Sequence, residues 1–215
     1  MNIVPGFNCF NEVSFEKRLC ELSLIMPRWI HLDVSDGKFT PVVTFNNPHA
    51  FEHYDIHGAN VELHCMVDDP CVEIDRWKVI PSIKRFIVHI EAMQKHHISL
   101  DDLYRVSEGK EIGLTICPKT PFEDLFPFID ERIRFVMLLA VTPGFSGGLF
   151  QESVLDSVKV LHTQFSSLFI EVDGGVNEMV AQQLKRVGAH SVVSTSYLSG
   201  LPEVVKTRFT FLESL

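Results

Sequence analysis

Eight short runs of β-branched and apolar residues, each separated from the next by an amphipathic or polar stretch, limit most strongly how this chain can fold. They are Ile3–Phe7, Trp29–Val34, Asn60–Val67, Arg85–Ile90, Glu111–Cys117, Arg134–Val141, Leu168–Val172 and Ser191–Ser194. The intervening stretches include expected helices over Glu12–Leu24 and Asn177–Val187, where Met179, Val180, Leu184 and Val187 recur at helical spacing. Eight strand–helix units in 215 residues leave about 27 residues per unit, a compact α/β (β/α)8 TIM barrel built as one domain over residues 1–215. A doubly wound open sheet also alternates in this way, but the count of eight favours the barrel.

In such a barrel the chemistry gathers at the C-terminal ends of the strands. The second run reads His31-Leu32-Asp33-Val34-Ser35-Asp36-Gly37, and strand alternation puts His31 and Asp33 on one side, Leu32 and Val34 on the other. The third carries Glu62-Leu63-His64-Cys65-Met66 and the seventh ends Glu171-Val172-Asp173-Gly174-Gly175. A lone His or Asp at a strand end is more often a hydrogen-bonded structural residue than a ligand. If the barrel forms, however, His31, Asp33, His64 and Asp173 converge at one end. Two imidazoles and two carboxylates suit one divalent metal ion: zinc, iron(II), manganese or cobalt.

Other histidines read differently. His49, His53 and His57 recur every fourth residue and would stack on one face of an outer helix, but Ala50 follows His49 where a metalloprotease motif needs Glu. A solvated helix face is the expectation there, and His96-His97 reads as a polar loop. His89 ends the fourth run and faces the barrel mouth. Three small-residue turns lie at the same end: Pro143-Gly144-Phe145-Ser146-Gly147-Gly148, Asp173-Gly174-Gly175-Val176-Asn177 and Ser194-Thr195-Ser196. Such turns bring backbone N–H groups close to an anion, and barrels often hold a phosphate between the loops after strands seven and eight.

A formal net charge of −9 argues against a broad nucleic-acid surface, which needs a basic face. It leaves room for one phosphate on backbone N–H groups. No basic segment leads into a long apolar run at the start, and the longest apolar stretch, Phe135 to Val141, is too short to cross a membrane. Five cysteines without a CxxC pair fit reduced thiols in a cytoplasmic protein.

Several of these stretches resemble the ribulose-phosphate 3-epimerase family. The matching motifs are His31-Leu32-Asp33-Val34-x-Asp36-Gly37 with Phe39-x-Pro41, Leu63-His64-x-Met66-Val67, His89-Ile90-Glu91-Ala92, Pro143-Gly144-Phe145-x-Gly147 and Ile170-Glu171-Val172-Asp173-Gly174-Gly175-Val176. The resemblance implies a metal-dependent epimerase interconverting D-ribulose 5-phosphate and D-xylulose 5-phosphate. It implies Asp33 and Asp173 as the proton-transfer groups and His31, Asp33, His64 and Asp173 as the metal set. It places His64, Met66, Gly144, Phe145, Ser146, Gly147, Gly174, Gly175, Thr195 and Ser196 around a sugar phosphate. Pentose phosphate metabolism and a homo-oligomeric assembly follow from the resemblance alone.

The departures concern the substrate side. Gly6 stands where the family usually has Ser after the first-strand proline, so a substrate hydroxyl contact is expected to be lost. Ser35 replaces a common Met, and Leu139 stands where many members have another, which alters the apolar cap. Ser146 replaces a loop glycine, and Thr195 the glycine of a usual Gly-Ser pair, where a Cβ is expected to crowd the phosphate. Two other readings stay open: an epimerase of another ketose phosphate, such as a hexulose 6-phosphate, and a catalytically silent barrel binding a sugar phosphate or a partner protein. Two retained aspartates count against the silent reading.

Overall fold

Parallel strands close on themselves in sequence order in a computed structural model of the chain, which describes residues 1–144 and 147–215. The expectations for Phe145 and Ser146 fall outside the described residues. The strands are β1 (Asn2–Phe7), β2 (Trp29–Ser35), β3 (Asn60–Met66), β4 (Ile83–His89), β5 (Glu111–Ile116), β6 (Phe135–Leu139), β7 (Phe169–Asp173) and β8 (Ser191–Ser194). The (β/α)8 barrel expected from the alternation is therefore present, with most strand ends within two residues of their sequence positions. The sixth run stops two residues early, at Leu139, where the Ala140 carbonyl accepts the Gln151 N–H from the following loop at 3.0 Å and ends the ladder.

Local chemistry fixes the helices. α1 (Glu12–Glu21) opens on a capping box between Asn11 and Ser14 and stops three residues short of the expected Leu24. α2 (Pro48–Phe51) is a single turn. His53 and His57 lie beyond it and His57 has φ +53°, so the shared helical face expected for His49, His53 and His57 does not form. All three are exposed, as a solvated segment requires. α3 (Pro70–Trp77) follows β3. Two helices follow β4: α4 (Ile90–His96) and α5 (Leu100–Ser107). His96 thus closes a helix and His97 is its left-handed cap, rather than both lying in a loop. After β5 comes only a 3-10 segment, Phe122–Phe128, which contains Pro127 and cannot extend as an α-helix. α6 (Ser153–Gln164), α7 (Glu178–Val187) and α8 (Pro202–Ser214) complete the ring. Asn177 caps α7 by accepting the N–H groups of Met179 and Val180, so it precedes the helix rather than beginning it.

Strand alternation divides the interior in two. Leu32, Val34, Leu63, Val88, Val136, Ile170 and Val192 are buried in the apolar core that includes residues of the surrounding helices. Ile87, Phe135, Met137 and Leu139 form a separate apolar cluster. Buried His31, Glu62, Glu171 and Ser191 form a polar layer, an arrangement that demands partners for every group. Among the described residues, no helix is long and apolar enough to cross a membrane.

Candidate active site

Register brings the expected residues together. Asp33 on β2 lies opposite His64 on β3, and Leu139 on β6 opposite Asp173 on β7. Since β1 and β8 separate β2 from β7, the two aspartates enter from different walls of the barrel. One ligand atom from each of His31, Asp33, His64 and Asp173 lies within 4.8 Å of all the others.

The two imidazoles are held by opposite nitrogens. His31 Nδ1 lies 2.8 Å from Glu62 Oε1, leaving Nε2 buried, without a hydrogen-bond partner and 3.3 Å from Asp33 Oδ1. His64 Nδ1 lies 2.8 Å from Asp33 Oδ1, while its Nε2 faces His89 Nε2 at 2.9 Å. A buried nitrogen with no partner is costly to leave so. The orphaned His31 Nε2, aimed at a carboxylate, marks a position that a cation satisfies, and the nitrogen and oxygen donors fit a divalent transition metal.

The charges beneath this cluster are ordered. Burial alone would raise the Glu62 carboxyl, but hydrogen bonding and charge from His31 outweigh it and hold Glu62 low. Arg85 reinforces this from 2.8 Å. Glu171, buried beside Glu62 and accepting the Ser191 hydroxyl at 2.6 Å, is pushed well above the usual carboxylate range by burial and then by the Glu62 charge. Burial drives His64 down to about 4, whereas in His31 the neighbouring Asp33 and Glu62 carboxylates overcome burial and raise it. Burial would likewise raise Asp33, but His31 and His64 hold it well below the ordinary range. Asp173 goes the other way: burial, followed by the charges of Asp33 and Glu62 and opposed by His31, lifts it to about 7. Carboxyl groups pushed apart in this manner are suited to opposite roles in proton transfer.

A crevice of about 30 Å³ over the cluster is lined by Asn8, Asp33, Asp173, Gly174, Thr195 and Ser196, among others. It shares Gly147, Gly175 and Ser196 with an outer groove of about 720 Å³ bordered by Arg208. Gly175 has φ +68°, and a Cβ there would lie 2.8 Å from the Phe150 nitrogen, so this turn depends on glycine. Of the expected substrate residues, Gly147, Gly174, Gly175, Thr195 and Ser196 thus meet around the mouth. Gly144 (φ +99°) faces Thr40 and Val42, and Met66 is buried at the end of β3. The sequence reading passed over Asn8, whose buried Oδ1 has no partner, and Glu62, which backs His31. For Glu62 the signal was available: it lies two residues before His64 on the same strand face.

The profile of the Ribulose-phosphate 3 epimerase family matches residues 3–199. The chain belongs to this family. It is 29% identical over 196 residues to the ribulose-phosphate 3-epimerase of Schizosaccharomyces pombe, covering 89% of this chain and 84% of the relative. It is also 29% identical over 181 residues to the cytoplasmic isoform of ribulose-phosphate 3-epimerase from Oryza sativa subsp. japonica, covering 81% and 77%. Among solved structures, 3-keto-L-gulonate-6-phosphate decarboxylase from Vibrio cholerae superposes with a TM-score of 0.66 at 10% identity, covering 99% of this chain and 97% of that one. That likeness extends to the fold alone.

Against the family pattern, two departures explain each other. The Thr195 side chain fills the space where a Cβ on residue 6 would sit, with Thr195 Cβ 3.3 Å and Val193 Cγ1 3.1 Å from that position. Gly6 therefore makes room for Thr195, whose hydroxyl lies over the β1 glycine at the edge of the crevice. Ser35 is turned away from any cap: its hydroxyl lies 2.7 Å from Thr40 Oγ1 and donates to the Val42 carbonyl at 2.6 Å, bracing the loop after β2. Leu139 belongs to the apolar cluster of Ile87, Phe135 and Met137.

Proposed function

We propose that this chain interconverts D-ribulose 5-phosphate and D-xylulose 5-phosphate by moving the proton at C3 between Asp33 and Asp173. The observation that carries this reading is that two aspartates from separate walls of the barrel line one crevice and cluster with two buried imidazoles. Family membership supports the substrate class.

His31, Asp33, His64 and Asp173 would hold one divalent cation, with zinc, iron(II), manganese and cobalt all compatible with the donor set. Bound there, it supplies Lewis-acid stabilisation of negative charge on the substrate oxygens, without which a proton beside a ketone is too weakly acidic for a carboxylate. One aspartate takes the C3 proton from one face, and the other returns a proton to the opposite face, inverting that carbon. The reverse reaction exchanges their roles. Thr195 and Ser196 contribute hydroxyls, and the Gly147, Gly174 and Gly175 turns contribute backbone N–H groups, to hold the phosphate end. The placement of Thr195 over Gly6 favours one second reading, a ketose phosphate of different length such as a hexulose 6-phosphate. The family resemblance supports a homo-oligomer, and the name of the rice relative supports a cytoplasmic location.

Solvent deuterium incorporation at C3, measured across pentulose and hexulose phosphates with added zinc, iron(II) or manganese, tests the reading. Exchange should occur with ribulose 5-phosphate, and epimerisation should vanish in Asp173→Asn while the fold is kept. A barrel that exchanges deuterium with no ketose phosphate is not an epimerase.

A further inference from the structure

Proton transfer and metal holding leave one fully buried imidazole at the mouth without a task. His89 closes β4, and its ring meets that of His64 edge to edge, with centroids 5.0 Å apart, an interplanar angle of 26° and Nε2 atoms 2.9 Å apart. The Phe39 ring packs against it at 4.5 Å between centroids. On the far edge, His89 Nδ1 faces Glu91 Oε2 at 3.3 Å and Cys117 Sγ at 3.5 Å. Glu91 is itself anchored: Oε1 accepts the Cys117 N–H at 2.8 Å and the Thr120 hydroxyl.

These contacts have a direction. With Oε1 committed to two donors, Glu91 offers only acceptor capacity to His89, which places the imidazole proton on Nδ1 and leaves Nε2 bare. Two Nε2 atoms at hydrogen-bond distance need one proton between them, so His64 must carry it. The lone pair of His64 then lies on Nδ1, the atom directed at Asp33 from 2.8 Å. Two acceptors at that separation require a cation between them. His31 is organised along the same lines but more directly, with Glu62 backing Nδ1 and Nε2 facing the cluster.

We propose that His89 and Glu91 are positioning residues that fix the orientation and tautomer of His64, so that Nδ1 is the atom it offers to a divalent cation. This rests on the metal reading of the cluster. A supporting carboxylate reaching a ligand through a second imidazole brings the support from β4 and α4, on the other side of β3 from the Asp33 strand. The same three groups, His89, Glu91 and Cys117, also lie close enough together to hold an ion of their own. Their donors are already committed, however, and burial pushes the Cys117 thiol up to about 12.

Zinc affinity measured by chelator competition separates these cases. Glu91→Gln keeps the shape and, with its carbonyl on the Cys117 N–H and Thr120, turns its NH2 toward His89. That reverses the proton order and puts a proton on His64 Nδ1. Zinc binding should weaken by about 10–100-fold, and His89→Phe should do the same. A merely structural Glu91 would tolerate the isosteric amide, so unchanged affinity in Glu91→Gln overturns the proposal. So does binding of two zinc equivalents with one lost in Cys117→Ser, which would make His89 a ligand. Nitrogen NMR of the unmutated, zinc-loaded protein gives an answer independent of how the variants fold. It should show a proton on His64 Nε2, coupled across the hydrogen bond to His89 Nε2; a proton on Nδ1 refutes the device. Wild-type protein that binds no zinc removes the metal reading itself, whereas tight wild-type binding matched by Glu91→Gln removes only the positioning role.

Discussion

Thr195 and Gly6 occupy one space: the threonine side chain from the end of β8 lies over the glycine of β1 where a Cβ would project. Gly6→Ala should therefore destabilise the protein by about 1–3 kcal/mol through overpacking. In Gly6→Ala/Thr195→Gly the clash disappears, and the two changes should couple by roughly 0.5–3 kcal/mol. Urea unfolding of the four proteins in this cycle measures the coupling. Additive effects would mean that the two side chains do not compete for this space.

The orphaned His31 Nε2 makes the cluster a stabilising site for zinc. Zinc at 100 times its dissociation constant should raise the stability of metal-free protein by about 2.7 kcal/mol. For a chain of this length that is a rise in midpoint of roughly 5–11 °C. His31→Ala should lose the zinc-dependent rise, whatever its own midpoint. An equal rise in the variant would place the zinc elsewhere.

Glu91 predicts a particular acid limb. Burial would raise its carboxyl, but the hydrogen bonds of His89 and Thr120 outweigh burial and lower it from 4.5 to about 2. A carboxyl depressed in the folded state contributes stability that is fully present above pH 4.5 and is lost as pH falls toward 2. Metal-free wild type should lose stability relative to Glu91→Gln over that interval, and the difference should be constant above it. Urea midpoints from pH 6 downward provide the check.

Thiol reactivity should follow burial. Cys20 is exposed, whereas burial raises Cys9 and Cys117 to about 12 and places Cys65 well above its usual value. Iodoacetamide at pH 8 should label Cys20 first and leave Cys9, Cys65 and Cys117 largely unmodified until urea is added. Peptide mass spectrometry reads the order directly, and early labelling of Cys117 would contradict the shielding of its half-buried thiol beside His89.

Much of the site was legible because strand alternation is a local rule. His31 and Asp33 could be placed on one face from spacing alone, and the loop glycines from the close approach they allow between backbone N–H groups and an anion. Glu62 obeys the same rule, but alternation within β3 does not say that it reaches across to His31 Nδ1 on β2. Asn8 escapes a search for strand-end ligands because it follows a strand that carries no titratable side chain. The shared helical face of His49, His53 and His57 failed for another reason: periodicity cannot say that α2 stops after one turn.

The sequence by itself determined the eight strands, the side of each strand that carries polar groups, and the four residues that can gather at one end, since these follow from covalent alternation and local propensity. Tertiary structure alone decided which nitrogen of each histidine faces the cluster, that Thr195 answers to Gly6, and that His89 touches His64. Those facts depend on the register and closure of strands far apart in the chain, which no local pattern encodes.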